Sequence, residues 1–467
     1  MDNPEQPPEL GVFANRTLNL RSVQAIGFDM DYTLIHYHVD KWEGAAFEHA
    51  RGHLADRGWP VNNLTFEPDK FSLGLTFDLK LGNLVKATRF GYVVRAQHGQ
   101  SALTFDDQRT AYSSTVIDLA EDRYAFMNTL FEISRACLWT QLIDLHDQSK
   151  LDGVHNYRDI YIAIDDALNE SHLGGRLKAE ILADPDSFVV RDESLVPTLV
   201  DLREAGKKLL LITNSDWAYT REIMKYAVDP FCPEGCTWRE LFDVVIVAAN
   251  KPQFFANQNP LFKIVDENAG LLKPHWDDLE AGTVYFGGNA LAVESSLGLG
   301  NAQFLYVGDH LFGDVHVTKD VLRWRTALIA RELEYEIRDA ANFHDDQRHL
   351  EELMRDKVAI DRQQAQLRLA RDHNRSDKSL SASLDKATKQ AIKLDKQISP
   401  LAQKAATLGN EVWGPLMRAG NDKSLFARQV ERYADIYTSR VSNLGYETPY
   451  AYLRAARGSL PHDAATD

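Results

Sequence analysis

Cysteine is almost missing from this chain: Cys137, Cys232 and Cys236 are the three in 467 residues. That excludes a disulfide framework and suits a reducing compartment, so a cytoplasmic setting is expected. Cys232-x-x-x-Cys236 has no second Cys or His pair beside it, and reads as two ordinary thiols instead of half a zinc site. Long apolar runs are missing as well. No stretch approaches the length of a membrane span, and Met1 to Leu10 is polar and proline-rich, so no secretory leader is expected. Positive charge is scarce: 52 Lys and Arg face 68 Asp and Glu, for a formal charge of −16. Gripping a nucleic-acid backbone needs a basic face, so neither nucleic acid nor membrane is an expected partner. An anionic substrate must then be met by a metal ion, a few lysines or helix N-termini.

What is present is an ordinary globular composition, 44% apolar and 26% charged. The length suits about three domains, or insertions into one large α/β core. The chain is organised around Ala25-Ile26-Gly27-Phe28-Asp29-Met30-Asp31-Tyr32-Thr33-Leu34. A short apolar run ends there in two carboxylates two residues apart. On an extended chain, side chains so spaced point to one side. Asp29 and Asp31 can thus face one ligand at the carboxyl end of a strand, the usual binding edge of an open α/β sheet. Alone the pair is weak evidence in so acidic a chain.

The first strand is expected over Val23 to Phe28. His36-Tyr37-His38 lacks a third metal ligand at a known spacing, and its histidines read as a surface or outer pair. From Lys41 to Arg191 the texture changes. A helix is expected over Phe47 to Arg57, strands within Leu73 to Val94, and a long helix over Ala125 to Leu145. Strand–helix alternation resumes at Ser194: helix Leu195 to Ala205, strand Lys208 to Ile212, then Thr213-Asn214-Ser215-Asp216 opening the helix Trp217 to Ala227. Asp243 to Ala248 is β-rich and runs into Asn250-Lys251-Pro252. Gly287-Gly288-Asn289 precedes a helix that the asparagine can cap. Phe304 to Val307 leads into Gly308-Asp309-His310-Leu311-Phe312-Gly313-Asp314, and Arg325 to Ala330 is a further strand.

From Asp345 to Gly409 the chain is charged and rich in Ala, Gln and Lys. Leu380, Leu384, Ala387, Ala391, Leu394, Ile398, Leu401, Ala405, Leu408 and Val412 fall on alternating four- and three-residue spacings, a heptad seam. A helical hairpin turning near Asn374-Arg375-Ser376-Asp377 is expected. Pro400 should interrupt its second helix, with Ser399 as a new N-cap. The seam must be covered by another helix of this chain or by a second subunit, and a homo-oligomer is expected.

Four strand ends now carry Asp29 and Asp31, Thr213, Lys251, and Asp309 with Asp314. Singly, each has a bland explanation: a cap threonine, a surface lysine, a solvated acidic loop. Together, and each just after an apolar strand, they are what phosphoryl transfer asks for: a nucleophile, an acid, a cation, oxygen donors and magnesium ligands.

The set resembles the four motifs of the haloacid-dehalogenase-like superfamily, and more narrowly the cytosolic purine 5′-nucleotidase family. The narrower likeness is carried by Val12-Phe13-Ala14-Asn15-Arg16-Thr17-Leu18, Phe28 to Leu34, Asn128-Thr129-Leu130-Phe131, Thr213-Asn214-Ser215, Lys251-Pro252 and Val307 to Asp314. Ser424-Leu425-Phe426-Ala427 and Arg432-Tyr433-Ala434-Asp435 resemble the family's tail. The resemblance implies an α/β fold: a Rossmann-like haloacid-dehalogenase core, an inserted α+β cap and a helical hairpin insertion. Residues 1–40, 190–344 and 410–467 would form the core, 41–189 the cap and substrate domain, and 345–409 the insertion.

It also implies roles. Asp29 would be the nucleophile that forms an aspartyl phosphate, and Asp31 the general acid and later base. Mg2+ would sit on the Asp29 carboxylate, the Asp31 carbonyl and Asp309, with Asp314 ligating through water. Thr213 and Asn214 would hold the phosphoryl oxygens and Lys251 would neutralise their charge. Phe131 would stack on the base and Lys178 would meet the substrate. Two departures bear on the base: Asp165 and Asn169 stand where relatives carry Arg and Asp, and Glu132 stands where they carry Asn. The expected activity is magnesium-dependent hydrolysis of nucleoside 5′-monophosphates, of the IMP or GMP type. The alternatives are a phosphatase or phosphotransferase for another small phosphate ester, or a silent nucleotide-binding relative.

Overall fold

The structure, a computed structural model, describes residues 6–173, 175–456 and 458. Its main layer is a ten-stranded sheet with Ala25–Phe28 at the centre, all four residues buried. Lys208–Ile212 and Phe304–Gly308 lie parallel on either side, with Leu211 and Val307 both level with Phe28. Beyond Lys208–Ile212 come Val244–Val247 and Thr283–Gly287, also parallel, then Leu261–Asp266 and Leu271–His275 as an antiparallel edge. On the other side lie Arg325–Ile329 and Ile436–Thr438, parallel, and Phe13–Ala14, antiparallel. The inner strands read as continuous apolar runs because both of their faces are buried, alternate residues falling into two separate apolar clusters. The fold is thus mixed α/β with a large, mostly parallel sheet.

The chain leaves this layer at His36–Tyr37 and returns at Val189–Val190, two short strands that pair with each other. Between them lies a five-stranded antiparallel sheet holding Thr76–Asp78, Asn83–Ala87, Val93–His98, Ser101–Ala102 and Tyr124–Phe126. Helices Val39–Asp56, Ile133–Asp147, Tyr157–Leu173 and Arg176–Ala183 accompany it.

Several elements differ from expectation. The helix expected over Ala125 to Leu145 is a strand to Phe126 and a helix from Ile133. Apolar periodicity spans the join, but Asn128 accepts a hydrogen bond from the Phe312 N–H at 3.2 Å and draws the segment out of regular structure. The helix expected from Phe47 begins at Val39, because Trp42, Glu43 and Ala46 are already buried. His36 is buried where a surface or outer position was expected, while His38 is exposed.

Residues His344–His373 and Lys378–Ala406 are two long helices packed against each other. Leu384, Ala387 and Ala391 of the second are buried, as are Leu350 and Leu353 of the first. The interruption expected at Pro400 does not occur, since the second helix runs straight through it. Pro400 and Lys396, whose carbonyl loses its donor, are both exposed, so water can satisfy that carbonyl.

The C-terminal strand is tied to the sheet by Asp435, whose side chain is fully buried. Oδ1 accepts from Arg16 Nε at 2.8 Å, and Oδ2 from Lys319 Nζ at 2.6 Å and the Thr326 N–H at 2.9 Å. Burial opposes the charge, but the Lys319 and Arg16 bonds together hold the carboxyl below its ordinary range. Asp435→Asn leaves Lys319 without its counter-charge and should cost about 3–5 kcal/mol in urea unfolding at neutral pH. A depressed carboxyl contributes stability above its unfolded pKa and loses it as pH falls through the folded one. The gap between wild type and variant should therefore shrink below about pH 4.

Candidate active site

Parallel register brings the functional residues to one edge. With Phe28, Leu211 and Val307 level, the strands end together and release Asp29, Thr213 and Asp309 side by side. After Asp29 the Met30 carbonyl accepts from the N–H groups of Thr33, Leu34 and Ile35, closing a tight turn. Tyr32 takes a left-handed φ of 54° within it, a conformation uncommon for a non-glycine residue. Asp314 follows Asp309 in a wide helical turn, Leu311–His316, in which Val315 N–H donates to the His310 carbonyl five residues back at 3.3 Å.

Lys251 stands at the centre of the group. Its Nζ lies 2.7 Å from Asp29 Oδ1, 2.9 Å from Asp314 Oδ1 and 3.1 Å from the Tyr306 hydroxyl. Burial works against this ammonium, yet Asp29 and Asp314 raise its pKa well above the usual value. Burial pushes Asp29 up to about 6, with Lys251 pulling the other way and Asp314 adding to the rise. The Lys251 backbone is clamped by Asn214, whose Oδ1 accepts the Lys251 N–H at 2.6 Å and whose Nδ2 donates to its carbonyl at 3.1 Å. Two glycines make room: a Cβ on Gly27 would meet the Tyr306 ring at 2.9 Å, and one on Gly308 would meet Asp314 Oδ2 at 2.6 Å. Asp29 Oδ1 also takes the Met30 N–H at 2.8 Å, and Oδ2 accepts no hydrogen bond among the described residues.

The donor set fits a divalent cation. Carboxylate oxygens of Asp29, Asp309 and Asp314 lie within 4.8 Å of one another. Three carboxyl groups share the space with one ammonium, and hard oxygen donors of this kind suit magnesium. Asp309 Oδ1 is buried and accepts no hydrogen bond among the described residues. Burial, then Asp29 and Asp314, push the Asp309 carboxyl well up.

Asp31 is held by neutral donors. Tyr37 donates to Oδ1 at 2.6 Å and Ser215 to Oδ2 at 2.7 Å. Burial raises its pKa against the pull of Lys178 and of these two hydroxyls. Thr213 is fully buried, and its Oγ1 accepts the Ser215 N–H at 3.0 Å. The helix Trp217–Val228 starts beside it, capped by Asp216, which accepts the Tyr219 N–H.

The segment between the two sheets reaches this edge through Thr129, whose hydroxyl donates to Asp309 Oδ2 at 2.9 Å. Phe131 follows, half-buried, its ring edge-on to Tyr32 at 4.8 Å and Trp42 at 5.6 Å. Lys178 pairs with Asp216 at 3.3 Å and lies over the Tyr219 ring at 5.0 Å, on the Asp31 side. Asp165 and Asn169 do not join the strand-end group: Asp165 accepts from Arg135 at 2.7 Å and from Asn169 at 3.2 Å. Glu132, pushed up to about 7 by burial, lies 3.9 Å from the same guanidinium. The motifs did not single out Thr129, Tyr37, Tyr306 or Arg135 individually. Thr129 sat inside a quoted family segment, and Tyr37 between two histidines that drew attention away from it.

The family model described as "5′ nucleotidase family" matches residues 12–465. A 5′-nucleotidase domain-containing protein of Dictyostelium discoideum is 27% identical over 97% of this chain and 74% of its own length. The 5′-nucleotidase domain-containing protein 2 of Homo sapiens is 28% identical, over 98% and 87%. Among solved structures, a predicted phosphoglycolate phosphatase from Haemophilus somnus is 13% identical with a TM-score of 0.28, covering 66% of this chain and 86% of that one. A haloacid dehalogenase-like hydrolase from Xanthomonas campestris gives 12%, 0.25, 66% and 82%. Those structural alignments are loose, and the assignment rests on the sequence match. With the family model running from Val12 almost to the end of the chain, this protein belongs to the 5′ nucleotidase family.

Proposed function

We propose that this 5′-nucleotidase hydrolyses nucleoside 5′-monophosphates, purine nucleotides foremost, through an aspartyl phosphate on Asp29. The observation that carries the reading is the state of Asp29: Oδ1 is fixed by Lys251 and the Met30 N–H, and Oδ2 is left without a hydrogen bond. A carboxylate so held is oriented for attack. Asp29 Oδ2 forms a bond to phosphorus as the bond to the 5′ oxygen breaks, and Asp31 gives that oxygen its proton. Asp31 then takes a proton from water as the water attacks phosphorus and frees Asp29. Lys251 balances charge on the transferring group. Thr213, and Asn214 through what its clamp on Lys251 leaves free, offer donors to the phosphoryl oxygens beside the helix N-terminus. Mg2+ would be held by Asp29, the Asp31 carbonyl and Asp309, with Asp314 through water, and would supply charge neutralisation. Phe131 would stack on the base, and Lys178, near Asp31, would meet the substrate's anionic end. Three unpaired cysteines support a cytoplasmic setting.

The presence of both Asp29 and Asp31 speaks against a silent relative. The charged set at Glu132, Arg135 and Asp165 keeps another small phosphate ester open as the second reading. A phosphate-release screen across nucleoside monophosphates and sugar phosphates decides between them.

Asp29→Asn should abolish turnover, since an amide is a poor nucleophile. Asp31→Asn should lower kcat/KM for IMP by about two to four orders of magnitude. The loss should be smaller on 4-nitrophenyl phosphate, whose leaving group needs no proton. Substantial IMP hydrolysis by Asp29→Asn would sink the mechanism. Chelation should remove activity, and saturating Mg2+ should raise the melting temperature, about 2.7 kcal/mol being available at a hundred times Kd. Asp309→Asn should lose that rise; a rise that persists would place the metal elsewhere. Phe131→Ala should raise KM for IMP about ten- to a hundredfold, a stack being worth roughly 1–3 kcal/mol. An unchanged KM in a folded variant rejects the stacking role.

A further inference from the structure

The ribbon on which the chain leaves and re-enters the main layer ends beside Asp31. Tyr37 lies on it, opposite Val189, and is 4% exposed. Its ring packs on Trp42 at 4.3 Å and on Tyr32 at 5.4 Å, so it cannot turn away. Its hydroxyl is 2.6 Å from Asp31 Oδ1 and 3.0 Å from the hydroxyl of Tyr219, itself 2% exposed. Asp31 thus hangs between one phenol from the ribbon and Ser215 from the neighbouring strand end, which fixes the plane of its carboxyl group.

We infer that Tyr37, backed by Tyr219, is a positioning residue for Asp31. The inference rests on the proposed acid role of Asp31 in nucleotide hydrolysis. An aspartate has two side-chain torsions, and an unrestrained carboxyl would spend much of its time pointing away from the leaving oxygen. Well-placed groups gain most of their rate from orientation, and a misplacement of about 1 Å can cost a hundredfold. A phenol suits the task better than a charged group. It donates to a carboxylate and accepts from a carboxylic acid, so the contact survives when Asp31 gives up and recovers its proton. The second phenol takes up whichever donor or acceptor the first leaves free.

The test uses the full chain with Mg2+ and compares wild type, Tyr37→Phe, Tyr219→Phe, Asp31→Asn and the Tyr37→Phe/Asp31→Asn double variant. Each is assayed on IMP and on 4-nitrophenyl phosphate. Tyr37→Phe keeps the ring and its packing. It should lower kcat/KM for IMP about ten- to a hundredfold while moving that for nitrophenyl phosphate less than about threefold. Tyr219→Phe should show the same selectivity at smaller size. The double variant should be no worse than Asp31→Asn alone, because residues acting as one unit are not additive. Equal losses on both substrates, additive losses in the double variant, or no loss at all overturn the inference. If Tyr37→Phe does not fold by circular dichroism, Tyr219→Phe decides, and a loss without leaving-group selectivity overturns it. Full IMP turnover by Asp31→Asn would instead remove the acid role itself, an outcome visible without the tyrosine variants.

Discussion

A lysine ammonium enclosed by carboxylates is the interaction on which the rest of this structure depends. Taking Lys251 out of water is expensive, and only close opposite charge makes it tolerable. Asp29 at 2.7 Å and Asp314 at 2.9 Å supply that charge. The same contact orients Asp29 and sets which of its oxygens is free. Asp309 adds a third acid to the space, and its Oδ1 has no donor among the described residues. A cation among these three acids would ease their crowding and favour an anionic ligand, in keeping with the proposed magnesium site.

The sheet makes this arrangement affordable. Three adjacent parallel strands stop at the same level, so Asp29, Thr213 and Asp309 need no long loops to meet. Where a close approach is required, glycine provides it: Gly27 admits the Tyr306 ring whose hydroxyl touches Lys251, and Gly308 admits the Asp314 carboxylate. Neither position tolerates a Cβ without displacing a group that faces the lysine.

The strand-end residues were legible in the sequence because each follows an apolar run that only a doubly covered strand explains. Lys208–Ile212 and Phe304–Gly308 matched expectation for that reason. The misplaced helix over Ala125 to Leu145 failed for the opposite reason. Local periodicity continues across Asn128 and Thr129, but their hydrogen bonds to the Asp309 to Phe312 loop, far away in sequence, override it. Pro400 erred in the other direction: the helix runs through it, and the Lys396 carbonyl that loses its donor faces water. Tyr37 was invisible for want of a pattern: a single tyrosine has no spacing, and its value lies in a contact with Asp31 that the turn after Asp29 creates.

Two aspartates two residues apart would be alike on an isolated strand, and their neighbours make them different. Asp29 faces a cation and a backbone N–H, partners that stabilise negative charge and leave one oxygen exposed to an electrophile. Asp31 faces two hydroxyls, which bond equally well to a carboxylate and to a carboxylic acid. A cation bonded directly to Asp31, closer than Lys178 stands, would disfavour the proposed acid role, and a phenol on Asp29 would leave a weaker hold on its charge. Environments that separate paired carboxyl groups into donor and nucleophile are how one kind of side chain serves two tasks. In this chain the proposed separation is built from five residues on three stretches, Met30 and Tyr37, Ser215 and Tyr219, and Lys251. The tight turn at Met30 to Ile35 brings Tyr37 back onto Asp31, and the Asn214 clamp holds Lys251 on the Asp29 side.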